Sequence, residues 1–261
     1  MAAVEWAGAR RVAVGETSLS LVLNWLLRAL MALGGVALAV VAWPVAWGAW
    51  EAQKADAIVS DLRFRRPLDA ASVAAGIDAL NRSIVVDPVA RHYLDRSELL
   101  AGAALTPSLK LPDVDRDALL RRARSDLQVG LANAPVRGID WLRLAVVRQV
   151  LDGPSREVLP PLFMSIETAP LIPQLWRTRL RVILDVWPYL DDQQRSRLAD
   201  YFVMTWRLAM ERPALAIETY RGALVAEINA PADELIIRYF LRNEPNAQEE
   251  LTKWIVAYRK R

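Results

Sequence analysis

The chain contains no cysteine and a single histidine, His92, in its 261 residues. Without cysteine it forms no disulfide, has no thiolate nucleophile and offers no sulfur ligand to a metal ion. With one histidine, a zinc site would depend almost entirely on carboxylates, which is unusual for zinc. A lone histidine on a helix is more often structural than catalytic, so His92 is interpreted as a structural residue.

The sequence also lacks the common glycine-rich and nucleophile motifs. Its 11 glycines form no G-x-G-x-x-G, no phosphate-binding loop and no G-x-S-x-G. Acidic residues do cluster, but at places where they suit helix starts, because helix N-termini favour side-chain acceptors and negative charge. We therefore predict no catalytic, cofactor-binding or metal-binding residue and no enzyme activity. The acidic clusters interpreted in this way are Asp191–Asp192, Glu249–Glu250 and the trio Asp113, Asp115 and Asp117.

The chain also lacks a large excess of either positive or negative charge. The 33 basic residues nearly balance the 30 acidic ones, and the net charge is +3. Nucleic-acid-binding proteins usually carry a basic stripe, so this balance predicts no nucleic-acid partner. One basic run, Arg177–Arg181, is interpreted as a solvated helix face, with a binding surface as the alternative.

The longest stretch without charge, Ala29–Trp50, covers 22 residues. A helix of this length extends about 33 Å, enough to cross a hydrocarbon core of roughly 30 Å. A cleaved signal peptide has an apolar region of only about 7–15 residues and a small-residue cleavage site. Here the run ends in Trp43, Trp47 and Trp50, which is typical of a membrane–water interface. The sequence predicts an uncleaved anchor in the lipid bilayer at residues 29–50.

The orientation of this anchor is predicted from the basic residues beside it. Arg28 directly precedes the apolar run, whereas most of the basic residues that follow lie well beyond Trp50, and positive residues favour the inner side. We expect the N-terminus inside and the main domain translocated. The basic residues compared are Arg10, Arg11 and Arg28 before the run, and Lys54, Arg63, Arg65 and Arg66 after it.

Beyond the anchor, the pattern is helical and no stretch shows the alternation of a strand. Asp69 is a plausible N-cap, and the apolar stripe that follows has helical spacing, at Val73, Ile77, Leu80 and Ile84. The sequence therefore predicts an all-α protein. Further helices are expected near 88–105, 114–132, 138–151, 156–168, 173–187, 191–211, 213–228, 233–242 and 248–259.

A proline turn recurs three times, at Pro88, Pro135 and Pro170. Each turn ends a predicted helix and is followed after five or six residues by an aromatic residue, Tyr93, Trp141 or Trp176. The prolines are 47 and 35 residues apart, and a period of about 34 with helical hairpins is typical of tetratricopeptide repeats. The pattern over residues 69–184 thus resembles a tetratricopeptide-like α-solenoid, in which stacked hairpins share a core.

The stretch Trp187-Pro188-Tyr189-Leu190-Asp191, followed by Arg195 and Trp206-Arg207, resembles a group of small bacterial membrane-anchored repeat proteins. Members of that group tend to be encoded beside exopolysaccharide or O-antigen polymerisation and export systems. The resemblance covers residues 132–207 and supplies no catalytic residue. It implies a cell-envelope role, in which a single-pass protein of the inner membrane carries a periplasmic domain.

These observations define a predicted organisation: a cytoplasmic tail (1–28), an anchor (29–50), a stalk or linker (51–68), a helical repeat domain (69–207) and a helical C-terminal cap (208–261). The predicted function is a non-enzymatic scaffold that docks protein partners in an envelope assembly. The alternative is a carbohydrate-binding module or a carboxylate-dependent glycan-processing enzyme. These two hypotheses assign different roles to Trp141, Trp176, Trp187 and Trp206, which either pack between repeats or stack on polysaccharide.

Overall fold

The computed structural model of the chain describes residues 13–64, 66–106, 109, 115–211 and 217–259. Several residues used in the sequence predictions lie outside these ranges: Arg10 and Arg11 of the predicted tail, Arg65, and Asp113 of the acidic trio. The described residues form eleven α-helices and contain no strand, so the all-α prediction is confirmed. The helices are α1 (Ala13–Arg63), α2 (Ala70–Val86), α3 (Ala90–Leu105), α4 (Arg116–Asn133), α5 (Gly138–Asp152), α6 (Leu159–Thr168), α7 (Pro173–Val186), α8 (Asp192–Glu211), α9 (Ile217–Val225), α10 (Pro231–Phe240) and α11 (Pro245–Arg259).

The first helix, α1, is 51 residues long and continues through Pro44. Among the described residues it is the one helix that is long and apolar enough to cross a membrane. Its large apolar side chains between Leu21 and Trp50 are exposed, and Trp43 stacks on Trp47. A soluble domain would bury such a surface, so its exposure agrees with the predicted anchor. The orientation of the anchor stays a prediction.

The second part of α1 is packed into the domain. Ala52, Ala55 and Val59 are buried in one hydrophobic cluster with residues of α2, α3 and α4. Small side chains at this seam let the helices approach closely, and on α2 Gly76 faces Ile58. Residues 51–63, which the sequence predicted as part of a stalk, therefore contribute to the core of the domain.

Consecutive helices from α1 to α6 pack against one another as antiparallel neighbours. The odd-numbered helices α1, α3, α5, α7 and α9 also lie side by side, and no comparable packing joins α2 to α4 or α4 to α6 in the described part of the chain. Close approach depends on glycine at two of these contacts, where a Cβ on Gly102 or Gly130 would meet the side chain of Leu62 or Leu94. The odd-numbered helices thus form one layer, which we call the odd layer.

Two hydrophobic clusters meet at α5. Leu144 and Val147 belong to the cluster of α1–α4, whereas Leu142 and Ala145 belong to a second cluster with α6–α11. The second cluster includes residues of α9, α10 and α11, so the C-terminal helices share its core. The predicted boundary between residues 207 and 208 falls inside α8.

Candidate functional site

The three proline turns have the same backbone construction. The residue before each proline donates its N–H to the carbonyl of the residue four positions earlier: Asp87 to Ser83, Ala134 to Gly130 and Ala169 to Ser165, at 2.8, 2.9 and 3.2 Å. Ser83, Gly130 and Ser165 are all small and buried. A small side chain is required there because the preceding helix crosses close by. The hydroxyls of Ser83 and Ser165 donate to the carbonyls of Gly48 and Gly138, at 2.8 and 2.7 Å.

The aromatic residues after the second and third turns occupy equivalent positions. The indole N–H of Trp141 donates to the carbonyl of Pro135 at 2.7 Å, and that of Trp176 donates to the carbonyl of Pro170 at 3.2 Å. The two residues differ in burial, since Trp176 is 5% exposed and Trp141 is half-buried. The second and third proline turns therefore share the same hydrogen bond from an indole N–H to the carbonyl of the turn proline.

At the first turn, the side chain that hydrogen-bonds to the turn is His92. Its Nδ1 lies 2.7 Å from the hydroxyl of Ser83 and 3.0 Å from the carbonyl of Asp87, and the side chain is buried. These contacts tie the start of α3 to the end of α2. They agree with the interpretation of His92 as a structural residue.

Charged side chains of α1, α3 and α5 form a linked set of ion pairs in the odd layer, which we call the odd-layer network. On α3, Asp95 and Glu98 are buried and both contact Nη2 of Arg63, at 2.7 and 2.8 Å. Glu98 also contacts Nη2 of Arg143 at 3.1 Å, and Arg143 pairs in turn with the buried Asp140. Since each of these carboxylates has a guanidinium partner, the network joins three helices and leaves no free carboxylate pair for acid–base chemistry.

The predicted carboxylate clusters have capping or pairing roles in the structure. Asp191 accepts from the backbone N–H of Gln194 at 2.8 Å, and Gln194 Oε1 accepts from the N–H of Asp191 at 3.1 Å, which is a reciprocal capping box. Asp115 accepts from the N–H of Asp117 at the start of α4. The capping interpretation is therefore confirmed for Asp191 and Asp115.

The two carboxylates of the C-terminal acidic pair, Glu249 and Glu250, also form ion pairs with basic side chains. Glu249 lies 2.7 Å from Lys253 one turn along α11, and Glu250 lies 3.2 Å from Arg221 of α9. The hydrogen bond from Lys253, together with its charge, lowers the pKa of Glu249 below its ordinary value. A general acid at neutral pH needs a raised carboxyl pKa, so the shift has the opposite direction.

One residue of the basic run Arg177–Arg181, Arg179, does not lie on the solvated helix face that the sequence predicts. Arg179 is fully buried, where its guanidinium donates to the carbonyls of Ser165 and Ala169 at 2.6 and 2.9 Å and to the hydroxyl of Tyr201 at 2.9 Å. The two carbonyls end α6, where the helix dipole is negative, so the arginine caps that helix. Burial raises the pKa of Tyr201, which keeps the phenol protonated. The prediction of a solvated face is wrong for Arg179, and its spacing of four from Leu175 and Ile183 was the available signal.

Replacement of Arg179 by leucine should lower the free energy of unfolding by about 3 kcal/mol or more, since each buried polar group left unpaired costs roughly 1–3 kcal/mol. The matched control is Arg197→Leu, because Arg197 is 55% exposed and pairs with the half-exposed Glu167. An exposed pair contributes about 0–1 kcal/mol. Urea unfolding of the two variants measures the difference, and equal losses would contradict the capping role of Arg179.

Three of the four tryptophans predicted either to pack or to stack on sugars are packed, and the fourth, Trp141, is half-buried. Trp176 and Trp206 are buried, and Trp187 makes edge contacts with Tyr239 and Phe240. In the described residues the exposed tryptophans all lie in α1: Trp25, Trp43, Trp47 and Trp50. Trp176 and Trp206 are therefore not accessible for stacking on a sugar in this structure.

Within the described ranges, no group of three or more histidine, aspartate or glutamate side chains is arranged to hold a metal ion. An open groove of about 420 Å³ lies beside α6 and the turn before α8, with Phe163, Tyr189 and Arg156 in its wall. Its other polar side chains, Asp191 and Gln194, are engaged in the capping box described above.

No protein-family model, curated protein or solved structure matches this chain. The resemblance to envelope repeat proteins therefore stays a prediction based on residues 132–207.

Proposed function

We propose that the protein is a non-enzymatic, membrane-anchored scaffold whose helical hairpins form a tetratricopeptide-like solenoid and dock partner proteins. In this proposal α1 crosses the bacterial inner membrane once and the domain lies in the periplasm. The partners belong to an envelope assembly, with polysaccharide polymerisation or export as the predicted process. The side-by-side odd layer and the repeated proline turns support the solenoid, and the paired state of the carboxylates supports a role without catalysis.

The observation that carries this proposal is the continuity of α1. One helix supplies both the apolar segment and the first member of the odd layer, where Ala52, Ala55 and Val59 are buried. Arg63, near its C-terminal end, is held by Asp95 and Glu98 of α3. A continuous helix packed in this way keeps the domain at a fixed distance from the anchor, whereas a flexible linker would not. A fixed position is what a scaffold needs to hold partners in register.

The solvent side of α7 is the part of the odd layer that we propose for docking. Gln174, Arg177 and Thr178 are exposed there and recur at helical spacing, with the partly exposed Arg181 one turn further on. Repeat proteins bind helices and extended peptides along the surface formed by one helix of each hairpin. The charges of Arg177 and Arg181 are held in place by Glu227 and Asp185, so the surface is ordered before a partner binds.

A photoreactive amino acid at Thr178 should crosslink to a distinct partner protein in intact cells. The matched control is the same amino acid at Gln128, which is exposed on α4, outside the odd layer. Crosslinked species are separated by electrophoresis and identified by mass spectrometry. Equal crosslinking at both positions, or none at either, would contradict docking on the odd layer.

The proposed orientation has its own test. Alkaline phosphatase fused after Arg261 should be active in a bacterial host, because that reporter folds only outside the cytoplasm. Arg28 beside the apolar run is the residue that favours this orientation. A fluorescent protein that matures only in the cytoplasm serves as the control fusion. Bright fluorescence together with an inactive phosphatase would reverse the orientation.

A further inference from the structure

The three proline turns lie at the same end of the domain. At the first turn, the end of α2 meets α1 at Gly48; at the second, the end of α4 meets the start of α3, where a Cβ on Gly130 would lie 3.3 Å from the carbonyl of Ala90. At the third, the end of α6 meets the start of α5, where Ser165 donates to the carbonyl of Gly138. Since α3 begins at the first turn and α5 begins at the second, these contacts place all three turns at one end.

That end is beside the anchor. Gly48 precedes Trp50 by two residues, so it lies about 3 Å inside the end of the apolar run. Its carbonyl accepts from the hydroxyl of Ser83, and a Cβ on Gly48 would lie 2.4 Å from the Cβ of Asp87. The turn between α2 and α3 is therefore level with the tryptophans that end the anchor. Residues at such a level meet the headgroup region of a bilayer.

Each of the three turns carries an exposed aliphatic side chain close to its proline, which we call a tip. Val85 lies in the last turn of α2, three residues before Pro88, and Val136 and Leu171 directly follow Pro135 and Pro170. Val85, Val136 and Leu171 are 85%, 79% and 60% exposed. Three more exposed aliphatic residues flank them: Val89, Ile139 and Ile172. Single exposed apolar residues need no explanation, but a recurrent set at one end of a fold indicates an interaction surface.

Arginines accompany these tips. Arg82, Arg137 and Arg177 lie within six residues of a tip and their side chains are 57%, 36% and 54% exposed, although each also contacts an acidic residue. Arginine can bury its aliphatic stem at an interface and direct its guanidinium toward phosphate groups. At the opposite end the described residues include both kinds of side chain: the polar Asp152, Arg156 and Glu157 at and after the end of α5, and the exposed apolar Phe64, Leu105 and Val150.

We propose that the turns α2–α3, α4–α5 and α6–α7 form a second membrane contact, in which Val85, Val136 and Leu171 enter the interfacial region of the phospholipid bilayer that holds α1. The inference rests on the anchor of the proposed function and adds the arrangement of the domain. The layer of helices rests with its proline turns on the membrane surface. The occupant is lipid because the row of tips is continuous, through Gly48 and Asp87, with the anchor itself.

The absence of cysteine makes a direct test practical in the full chain. An environment-sensitive fluorophore is attached to single cysteines replacing Val136, Leu171, Glu157 or Trp50, and each protein is reconstituted in vesicles of phosphatidylcholine and phosphatidylglycerol. Spin-labelled phosphatidylcholine should quench most of the fluorescence at positions 136, 171 and 50, and iodide in the buffer should quench position 157. Quenching of positions 136 and 171 by iodide and not by lipid would overturn the proposal.

An apolar label on a tip itself favours the bilayer, so a second protein carries the label beside a tip instead. The fluorophore is placed at Ala132, which is exposed one turn before the second tip. Spin-labelled lipid should quench it in the otherwise native chain, and Val136→Asp with Leu171→Asp should reduce that quenching to the level of position 157. The tips are exposed, so unchanged circular dichroism is expected and serves as the folding control. Equal quenching with and without the two substitutions would overturn the role of the tips.

The remaining outcomes also decide between explanations. If lipid fails to quench position 50, the anchor is wrong and the proposed function fails with it. If lipid quenches position 50 but not positions 136 and 171, the anchor stands and the second contact is overturned. Protection of these tips from iodide in native membranes, but not in pure lipid vesicles, would assign the surface to a protein partner and overturn a lipid occupant.

Discussion

A chain that begins at Glu51 should be extracted from membranes without detergent and keep its helices, whereas a chain that begins at Pro67 should unfold far more easily. The difference arises from residues 51–63, which bury Ala52, Ala55 and Val59 in the core. At roughly 0.8 kcal/mol per buried carbon these three side chains contribute about 4 kcal/mol. Domains of this size have total stabilities of about 5–15 kcal/mol, so such a loss is severe.

Carbonate extraction and urea unfolding measure the two parts of this prediction. The chain from Glu51 should be released by carbonate, because the apolar surface of residues 21–50 has been removed. If it is recovered only with detergent, the domain contains a second membrane-spanning segment and the single-anchor topology is wrong. Equal unfolding midpoints for the two chains would show that the end of α1 is dispensable for the core.

The sequence was sufficient for those features that follow from periodicity and length. The uncharged run Ala29–Trp50, the apolar stripe after Asp69 and the proline turns each depend on neighbouring residues, and the corresponding helices and caps are present. The carboxylates of Asp191 and Asp115 were interpreted correctly for the same reason. A capping residue acts on backbone groups two or three positions away, so its role is a local property.

Features that depend on distant parts of the chain were not predictable in this way. The burial of residues 51–63 depends on α2 folding back along α1, and nothing in the composition of residues 51–68 distinguishes a packed helix from a stalk. Arg179 is predicted to face solvent as part of the run Arg177–Arg181, because a run of charges usually forms a solvated helix face. Its partners come from the end of α6 and from α8, and only the fold brings the carbonyls of Ser165 and Ala169 to its guanidinium.

The odd-layer network shows the same limit for the candidate site. Asp95 and Glu98 are three residues apart on α3, but Asp140 lies 42 positions beyond Glu98, and no spacing rule joins it to them. They meet because α1, α3 and α5 lie side by side. The carboxylates that stand out in the sequence are adjacent ones, such as Asp191–Asp192. In the structure Asp191 caps a helix and Asp192 pairs with Arg195 at the surface.

The largest effect of a single substitution is expected at Trp176. Its side chain is 5% exposed, its indole donates to Pro170, and its ring contacts Tyr220 edge-on. Truncation of a buried aromatic residue to alanine typically costs about 3–5 kcal/mol, and for a domain of this size that corresponds to a fall in melting temperature of roughly 6–20 °C. Trp176→Ala should therefore lower the melting temperature of the chain from Glu51 by that amount.

The repeat supplies the matched control for this substitution. Trp141 makes the same hydrogen bond, to Pro135, but it is only half-buried. Trp141→Ala should therefore cause a clearly smaller fall, and Trp176→Phe should recover most of the loss because the ring still fills the core. If Trp176→Ala leaves the melting temperature unchanged and abolishes binding to a polysaccharide, its role is recognition. That result would replace the scaffold with the carbohydrate-binding alternative, because a tryptophan that stacks on sugar must be accessible and its loss costs little stability.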